Sequence, residues 1–198
     1  MPPTTETDLS FRLAHPSDAA AIAALHAESW RQHYRGAYAD AFLDGDVLAD
    51  RVSVWTDRLA QPDPLRCTLL AEAGGLVGFA NTFIDPDPRS GALLDNLHVA
   101  AAHKRRGVGS RLMALTAEAV IASVAGSASM YLWVLEQNVG AQAFYRALGG
   151  EPAGRAAVPA PGGVAGRLCG SPMKLRYAWR RVDLLLQGRA EDTGPSNR

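Results

Sequence analysis

The run from Leu93 to Leu112, LLDNLHVAAAHKRRGVGSRL, decides how the rest of the chain is read. Leu93, Asp95, Leu97 and Val99 alternate with Leu94, Asn96, His98 and Ala100, and apolar and polar positions at a period of two predict a strand buried mainly on one face. Beyond it the period changes. Val108, Leu112, Leu115 and Ala119 recur at helical spacing, with Met113, Thr116 and Val120 widening the stripe, so a helix is expected from near Arg106 to about Val124. Between the two stand Lys104, Arg105, Arg106, Gly107, Val108, Gly109 and Ser110. Unpaired N–H groups at a helix N-terminus, with the positive end of the helix dipole, form an anion site. Gly107 and Gly109 bring no side chains that would hold a pyrophosphate away from the backbone. Basic residues beside such a turn can equally be a solvated face, and the turn alone leaves phosphate binding open.

Working outward, Met1 to Leu9 are polar and rich in Thr and Pro and are expected to form a disordered lead-in, residues 1–9. Phe11 to Ala14 suit a short strand. Ser17 then reads as an N-cap before Ala19, Ile22, Leu25 and Trp30 on one helical face, and Leu48, Val52, Trp55 and Leu59 form the stripe of a second helix. Cys67 to Glu72 and Leu76 to Ile84 read as strands joined through Ala73-Gly74-Gly75. After the central strand and helix come a strand at Met130 to Leu135, a short helix around Gly140 to Leu148, a Gly/Pro/Ala-rich stretch holding one weak strand, and a final strand at Met173 to Trp179. Periodicity and composition give an α/β domain over residues 10–180, and 181–198 is expected to be polar tail.

The bulk properties bound the function. With 198 residues, 47% of them hydrophobic, and no net charge, the chain is sized for one domain with its own core. The neutrality hides an asymmetry, since 14 acidic and 7 basic residues occur up to Ala100 and 6 and 13 after it, so the positive excess falls on the half that carries the glycine turn. Cys67 and Cys169 are too few for a disulfide framework or a metal cluster, so no metal is expected and a reduced compartment is. No signal-like start and no apolar run near the roughly 20 residues that span a bilayer are present, and a cytoplasmic protein without membrane attachment is expected.

Lys104-Arg105-Arg106-Gly107-Val108-Gly109 after a strand and before a helix resembles the [R/Q]-x-x-G-x-[G/A] signature of the GNAT superfamily of acetyl-coenzyme A dependent N-acetyltransferases, with Lys104 in place of Arg or Gln. A second element follows in order: Leu132-Trp133-Val134 as a strand, then Asn138, Ala141, Phe144-Tyr145 and Leu148-Gly149, like the family's N-x-x-A-x-x-F-Y-x-x-x-G, with Gly150 where many relatives carry Phe. The resemblance spans about Phe11 to Trp179. It implies the GNAT fold, a mixed central sheet of about six to seven strands with helices on both faces, splayed between the central strand and the next. It also implies acetyl-CoA as co-substrate, with pantetheine pairing along the central strand at Leu97 and Val99. In that likeness the pyrophosphate rests on the turn from Lys104 to Ser110, and Asn138 and Phe144 complete the cofactor site.

The same likeness makes Tyr145 the acid that protonates the departing thiolate, although a Phe-Tyr pair on a helix taken alone is ordinary core, and Asn138 alone is an ordinary cap. A base is needed because an alkylamine, pKa about 10, is mostly protonated at neutral pH. Asp95 is the candidate by its place in the central strand. His98 has the better pKa but is expected on the opposite face, and Glu72 and Glu136 are weaker options. Trp30, His33, Tyr34 and Tyr38 crowd the end of the first helix, either as packing or as a cation-binding wall of the acceptor site. The acceptor is a small-molecule amine or a protein N-terminal or lysine amine, and a homodimer stays open.

Other functions compete. A dinucleotide-binding oxidoreductase would use Gly107-Val108-Gly109, but the third glycine of its fingerprint falls at Leu112. A nucleic-acid module would rest on His103 to Arg106, one short cluster on a neutral chain, and no nucleic acid is expected. A non-catalytic acetyl-CoA sensor of the same fold is the third alternative.

Overall fold

The computed structural model describes residues 8–87, 89–124 and 128–189. In chain order the elements are β1 (Ser10–Leu13), α1 (Ala19–His33), α2 (Asp40–Asp44), α3 (Val47–Leu59), β2 (Arg66–Glu72), β3 (Leu76–Asp87), β4 (Gly91–Val99), α4 (Val108–Ser123), β5 (Met130–Leu135), α5 (Val139–Ala147), β6 (Glu151–Ala157) and β7 (Met173–Trp179). The strands form one mixed sheet in the order β1-β2-β3-β4-β5-β7-β6, in which β4 and β5 run parallel and the other neighbours antiparallel. Helices cover both faces. Leu94, Val108, Leu112, Met130, Leu132 and Tyr177 join the core beneath α4 and α5, while Ile22, Trp55, Leu70 and Phe79 pack under α1 and α3.

Four local expectations are corrected. The helix α4 begins at Val108 rather than near Arg106, because Arg105 (φ 60°) and Gly107 (φ 80°) hold left-handed conformations that no helical turn accepts. In α3 the buried stripe is Val47, Arg51 and Trp55, whereas Leu48 and Val52 remain 42% and 37% exposed. A charged residue occupies a core position there: the Arg51 guanidinium lies 4.2 Å from the Trp30 ring and bonds to Asp50, so its stem can be buried. The tail expected from residue 181 also starts too early. Val182–Arg189 forms a 3₁₀ turn whose Val182 is buried and whose Leu185 and Leu186 dock on the α4 core, since the apolar surface these three bury outweighs the flanking charges. The remainder of that tail, and the lead-in before Asp8, lie outside the described residues. Ahead of α1, His15 caps a short 3₁₀ turn at Pro16–Asp18 by accepting from Ser17 N–H, and the N-cap position of α1 itself is Asp18 rather than Ser17.

Candidate active site

The sheet is open along one seam. β4 and β5 pair only through Ala92, Leu93 and Leu94 with Met130, Tyr131 and Leu132; from Asp95 to Val99, β4 is paired on its β3 side alone. The parting coincides with a bulge. Thr82 of β3 lies opposite Leu94 and Asn81 opposite Asn96, which leaves Asp95 as an extra residue. An extra residue bends and twists a strand, and here it turns the end of β4 away from β5.

That bulge corrects the expected placement of His98. An uninterrupted alternation would put Asp95 and His98 on opposite faces, but the extra residue resets the phase. Leu94 and Leu97 both join the α4 core, while Asp95, Asn96 and His98 face α1 and α3. Arg58 of α3 donates from Nη1 to Asp95 Oδ2 at 2.8 Å and to Asn96 Oδ1 at 3.0 Å. His98 Nδ1 is 2.7 Å from Ser29 Oγ, and its ring lies 4.7 Å from that of His26 and 5.1 Å from Phe79. Burial, together with the positive charge of Lys104 and Arg51 and the neighbouring His33, drives its pKa down to about 3, so the ring is neutral. Trp55 donates to His26 Nδ1 at 3.0 Å, and an indole N–H can only donate, so His26 carries its proton on Nε2.

Past Val99 the backbone turns into α4. The first bond of the helix runs from Arg111 N–H to the Gly107 carbonyl at 2.9 Å, and the first turn contains no acidic residue. The N–H groups before Arg111 therefore point out of the helix end. A side chain on Gly107 would meet nothing within 4 Å, whereas one on Gly109 would meet the Phe144 ring at 3.3 Å and Val99 at 3.9 Å. So the two glycines serve differently. Gly107 supplies the left-handed cap and open space, and Gly109 lets α5 close onto the helix end. Lys104, Arg105, Arg106 and Ser110 are exposed around the turn, while the Val108 side chain is core and can offer a ligand only its backbone. Lys104 Nζ reaches 2.7 Å from His33 Nε2, bridging the turn to the end of α1; burial and the Lys104 charge lower the His33 pKa, so its ring accepts.

On α5, Asn138 caps the helix by accepting from Ala141 N–H at 3.1 Å, and Phe144 and Tyr145 follow within the helix. Tyr145 is buried, its ring 6.1 Å from both Tyr177 and Trp179. Burial, then the nearby Tyr34, raise its pKa above the ordinary phenol range, so it holds its proton throughout neutral pH. Tyr34 comes from α1 on the opposite face, its own pKa pushed up to about 12 by burial and by Asp95.

Among the other expected residues, Glu72 is bound by Arg12 at the far edge of the sheet, at 2.8 Å, so it takes no part in the opening. Glu136, just past β5, is paired with Arg155 at 2.7 Å, which holds its pKa below the usual carboxylate value. Trp30, Tyr34 and Tyr38 stack on one another at 4.8–5.2 Å, and the cation over Trp30 is the chain's own Arg51. Sequence reading missed the Arg58 clamp and the His26–His98 stack; a charged residue in the α3 stripe and a histidine in the α1 stripe were the available signals. No group of three or more His, Cys, Asp or Glu suited to a metal occurs among the described residues, and none of their helices is long and apolar enough to cross a membrane.

A splayed mixed sheet with a glycine turn feeding a helix at the splay defines an acetyltransferase architecture, and comparison with known proteins agrees. Residues 22–149 match the Acetyltransferase (GNAT) family. A Mycobacterium tuberculosis protein named Probable N-acetyltransferase Rv2775 is 30% identical over 149 residues, covering 70% of this chain and 78% of that one. Among solved structures, the PaiA N-acetyltransferase of Thermoplasma acidophilum in complex with coenzyme A has a TM-score of 0.68 at 17% identity, over 87% of this chain and 99% of that one. The yncA structure from Salmonella typhimurium, with acetyl-CoA, has a TM-score of 0.58 at 20% identity, over 87% and 93%. The chain belongs to the GNAT family of acetyltransferases and is an N-acetyltransferase by class.

Proposed function

We propose that the protein moves the acetyl group of acetyl-CoA to a primary amine, of a small molecule or of a protein N-terminus or lysine, by direct attack while both substrates are bound. The observation that carries this reading is the β4 edge from Asp95 to Val99, unpaired toward β5 and running into the open N-terminus of α4. Such an edge accepts an extended ligand by strand addition, here pantetheine along Leu97 and Val99. The N–H groups of Gly107, Val108, Gly109 and Ser110 suit a pyrophosphate, with Lys104, Arg105 and Arg106 adding positive field, and Asn138 and Phe144 flank the same opening. The solved relatives that hold coenzyme A or acetyl-CoA support this co-substrate. Because acetyl-CoA is a compound of the cell interior, the cytoplasm is the proposed location.

In the chemical step the amine nitrogen bonds to the thioester carbon, the carbon–sulfur bond breaks, and Tyr145 gives its proton to the departing sulfur. Asp95 takes the amine proton, directly or through water, and both groups are reset by solvent. Burial keeps the Tyr145 phenol protonated at neutral pH, so it has a proton to give as charge develops on sulfur. The test has two stages. Acetyl-CoA is expected to raise the melting temperature, by an amount equivalent to about 2.7 kcal/mol at 100-fold excess over its dissociation constant; no shift at millimolar ligand would sink the reading. Thiol release is then measured over a panel of amines. A sensor that binds without catalysis is the second reading, favoured by the commitment of Asp95 to Arg58. Binding without thiol release from any acceptor class would decide for it.

A further inference from the structure

Most arginines here end on a carboxylate, as Arg12 does on Asp18 and Glu72, Arg51 on Asp50, and Arg155 on Glu136. Arg176 in β7 does not. Its guanidinium carbon sits 4.1 Å from the Tyr131 ring centroid, and its Nε is closed to solvent with no hydrogen-bond acceptor among the described residues. Two residues earlier on the same face of β7, Lys174 holds its ammonium 4.6 Å from the Trp133 ring and has no ion-pair partner among the described residues. Burial lowers the Lys174 pKa and Asp95 opposes that shift, which places Lys174 within electrostatic reach of the candidate base.

The position follows from the register. Arg176 pairs across the sheet with Trp133, the first residue of β5 beyond its last partner on β4. The two cations therefore flank the start of the splay, on the face that carries Asp95, where the attacking amine must arrive. A buried guanidinium Nε–H without an acceptor is costly, and the Tyr131 ring face offsets this only in part. Its planar fork matches a carboxylate with two parallel bonds.

We infer that Arg176, seconded by Lys174, binds the carboxylate of the acceptor, which makes the acceptor a small amine of the amino-acid class rather than a diamine or polyamine. The inference rests on the acetyl-transfer reading above. Asp95 and the two cations then form an opposite-sign pair of anchors, the carboxylate of Asp95 toward the amine end and Arg176 and Lys174 toward the acid end.

The test uses the full chain with saturating acetyl-CoA and matched acceptors: amino acids, their carboxamides, phosphoethanolamine, and alkyl diamines and polyamines. Wild-type kcat/KM is expected to be at least about tenfold higher for an amino acid than for its carboxamide, since a charge-assisted hydrogen bond is worth about 1.5–3 kcal/mol. Arg176→Gln should collapse that ratio toward one through KM of the amino acid, and Arg176→Lys should restore part of it. If Arg176→Gln does not fold, the wild-type ratio and Lys174→Gln decide. Equal use of acid and amide, or preference for diamines, overturns the inference; preference for phosphoethanolamine overturns its carboxylate form. Should no acceptor turn over, calorimetry of the same pairs on the coenzyme A complex gives the ratio, and equal binding overturns it. Absence of acetyl-CoA binding by the wild type would instead defeat the acetyl-transfer reading itself.

Discussion

The two faces of β4 are built on different principles. Toward α4 the strand shows Leu94, Leu97 and Val99, and what this face adjoins is backbone: an unpaired strand edge and the open end of a helix. Toward α1 and α3 it shows Asp95, Asn96 and His98, each held by a side chain from another element, Arg58 from α3 or Ser29 from α1. A site made of backbone tolerates many side chains but no bulk. A site made of side chains is sensitive to single functional groups, and its specificity can change while the fold stays the same.

The sharpest way to break this contrast is at the helix end. Gly109→Glu pushes atoms into the Phe144 ring, 3.3 Å from where its Cβ would stand, and brings negative charge to the proposed pyrophosphate site. Acetyl-CoA binding, followed by calorimetry, should fall by more than about 100-fold, the scale of a like-charge clash of several kcal/mol. Lys104→Ala, which removes only an exposed contact to His33, should cost less than about threefold. Equal effects of the two changes would mean that the backbone is not what holds the ligand.

Next in size is Tyr145→Phe. The ring that packs on Tyr177 and Trp179 is retained, so melting temperature and acetyl-CoA affinity should hold while turnover drops by about 10² to 10⁴, the range for one acid–base group. A variant within a few-fold of wild type would take Tyr145 out of the reaction.

On the opposite face, Asp95→Asn is expected to lower the rate mainly near neutral pH and to recover partly by about pH 10, where more of the amine is already neutral. The same substitution leaves Arg58 with the Asn96 side-chain Oδ1 as an acceptor, so folding should survive. A pH–rate profile unchanged in shape would remove Asp95 as the base.

The smallest effect is on stability. His98 titrates near pH 3 in the folded protein and near 6.5 when unfolded, so below about 6.5 the unfolded state binds the extra proton. Stability is full above that value and declines as pH falls toward 3, by at most about 1.4 kcal/mol per pH unit for one group. His26, also buried and depressed in pKa, adds in the same direction. Melting temperature measured from pH 7.5 to 4.5 should fall less steeply in His98→Gln than in the wild type. Parallel curves would show that His98 does not titrate in this way.

How much of this was legible beforehand depends on the range of the interaction. Periodicity gives β5 and β7 to their end residues and α4 to within two, because the periods of two and 3.6 are set by neighbours along the chain. The glycine turn was legible for a related reason: Gly107 and Gly109 are needed for a conformation and for a close approach, and both demands act on the residue itself. The failures were of another kind. The α3 stripe was misphased because Arg51 is buried by Trp30, a residue 21 positions away, and the docked turn after Val182 depends on Ala128 and the α4 core.

The sequence by itself thus determined the longer strands and helices, the turn that can hold an anion, and the two motifs of the GNAT family, since each of these is written in local spacing, whereas α2 and the turn after Val182 carry no such signal. Tertiary structure alone decided the phase of β4 after Asp95, the partners of Asp95 and His98, and the placing of Arg176 and Lys174 beside the opening. One extra residue in a strand reverses every side chain beyond it, and the pairing that absorbs it is chosen by β3, a strand whose contacts no period within β4 can encode.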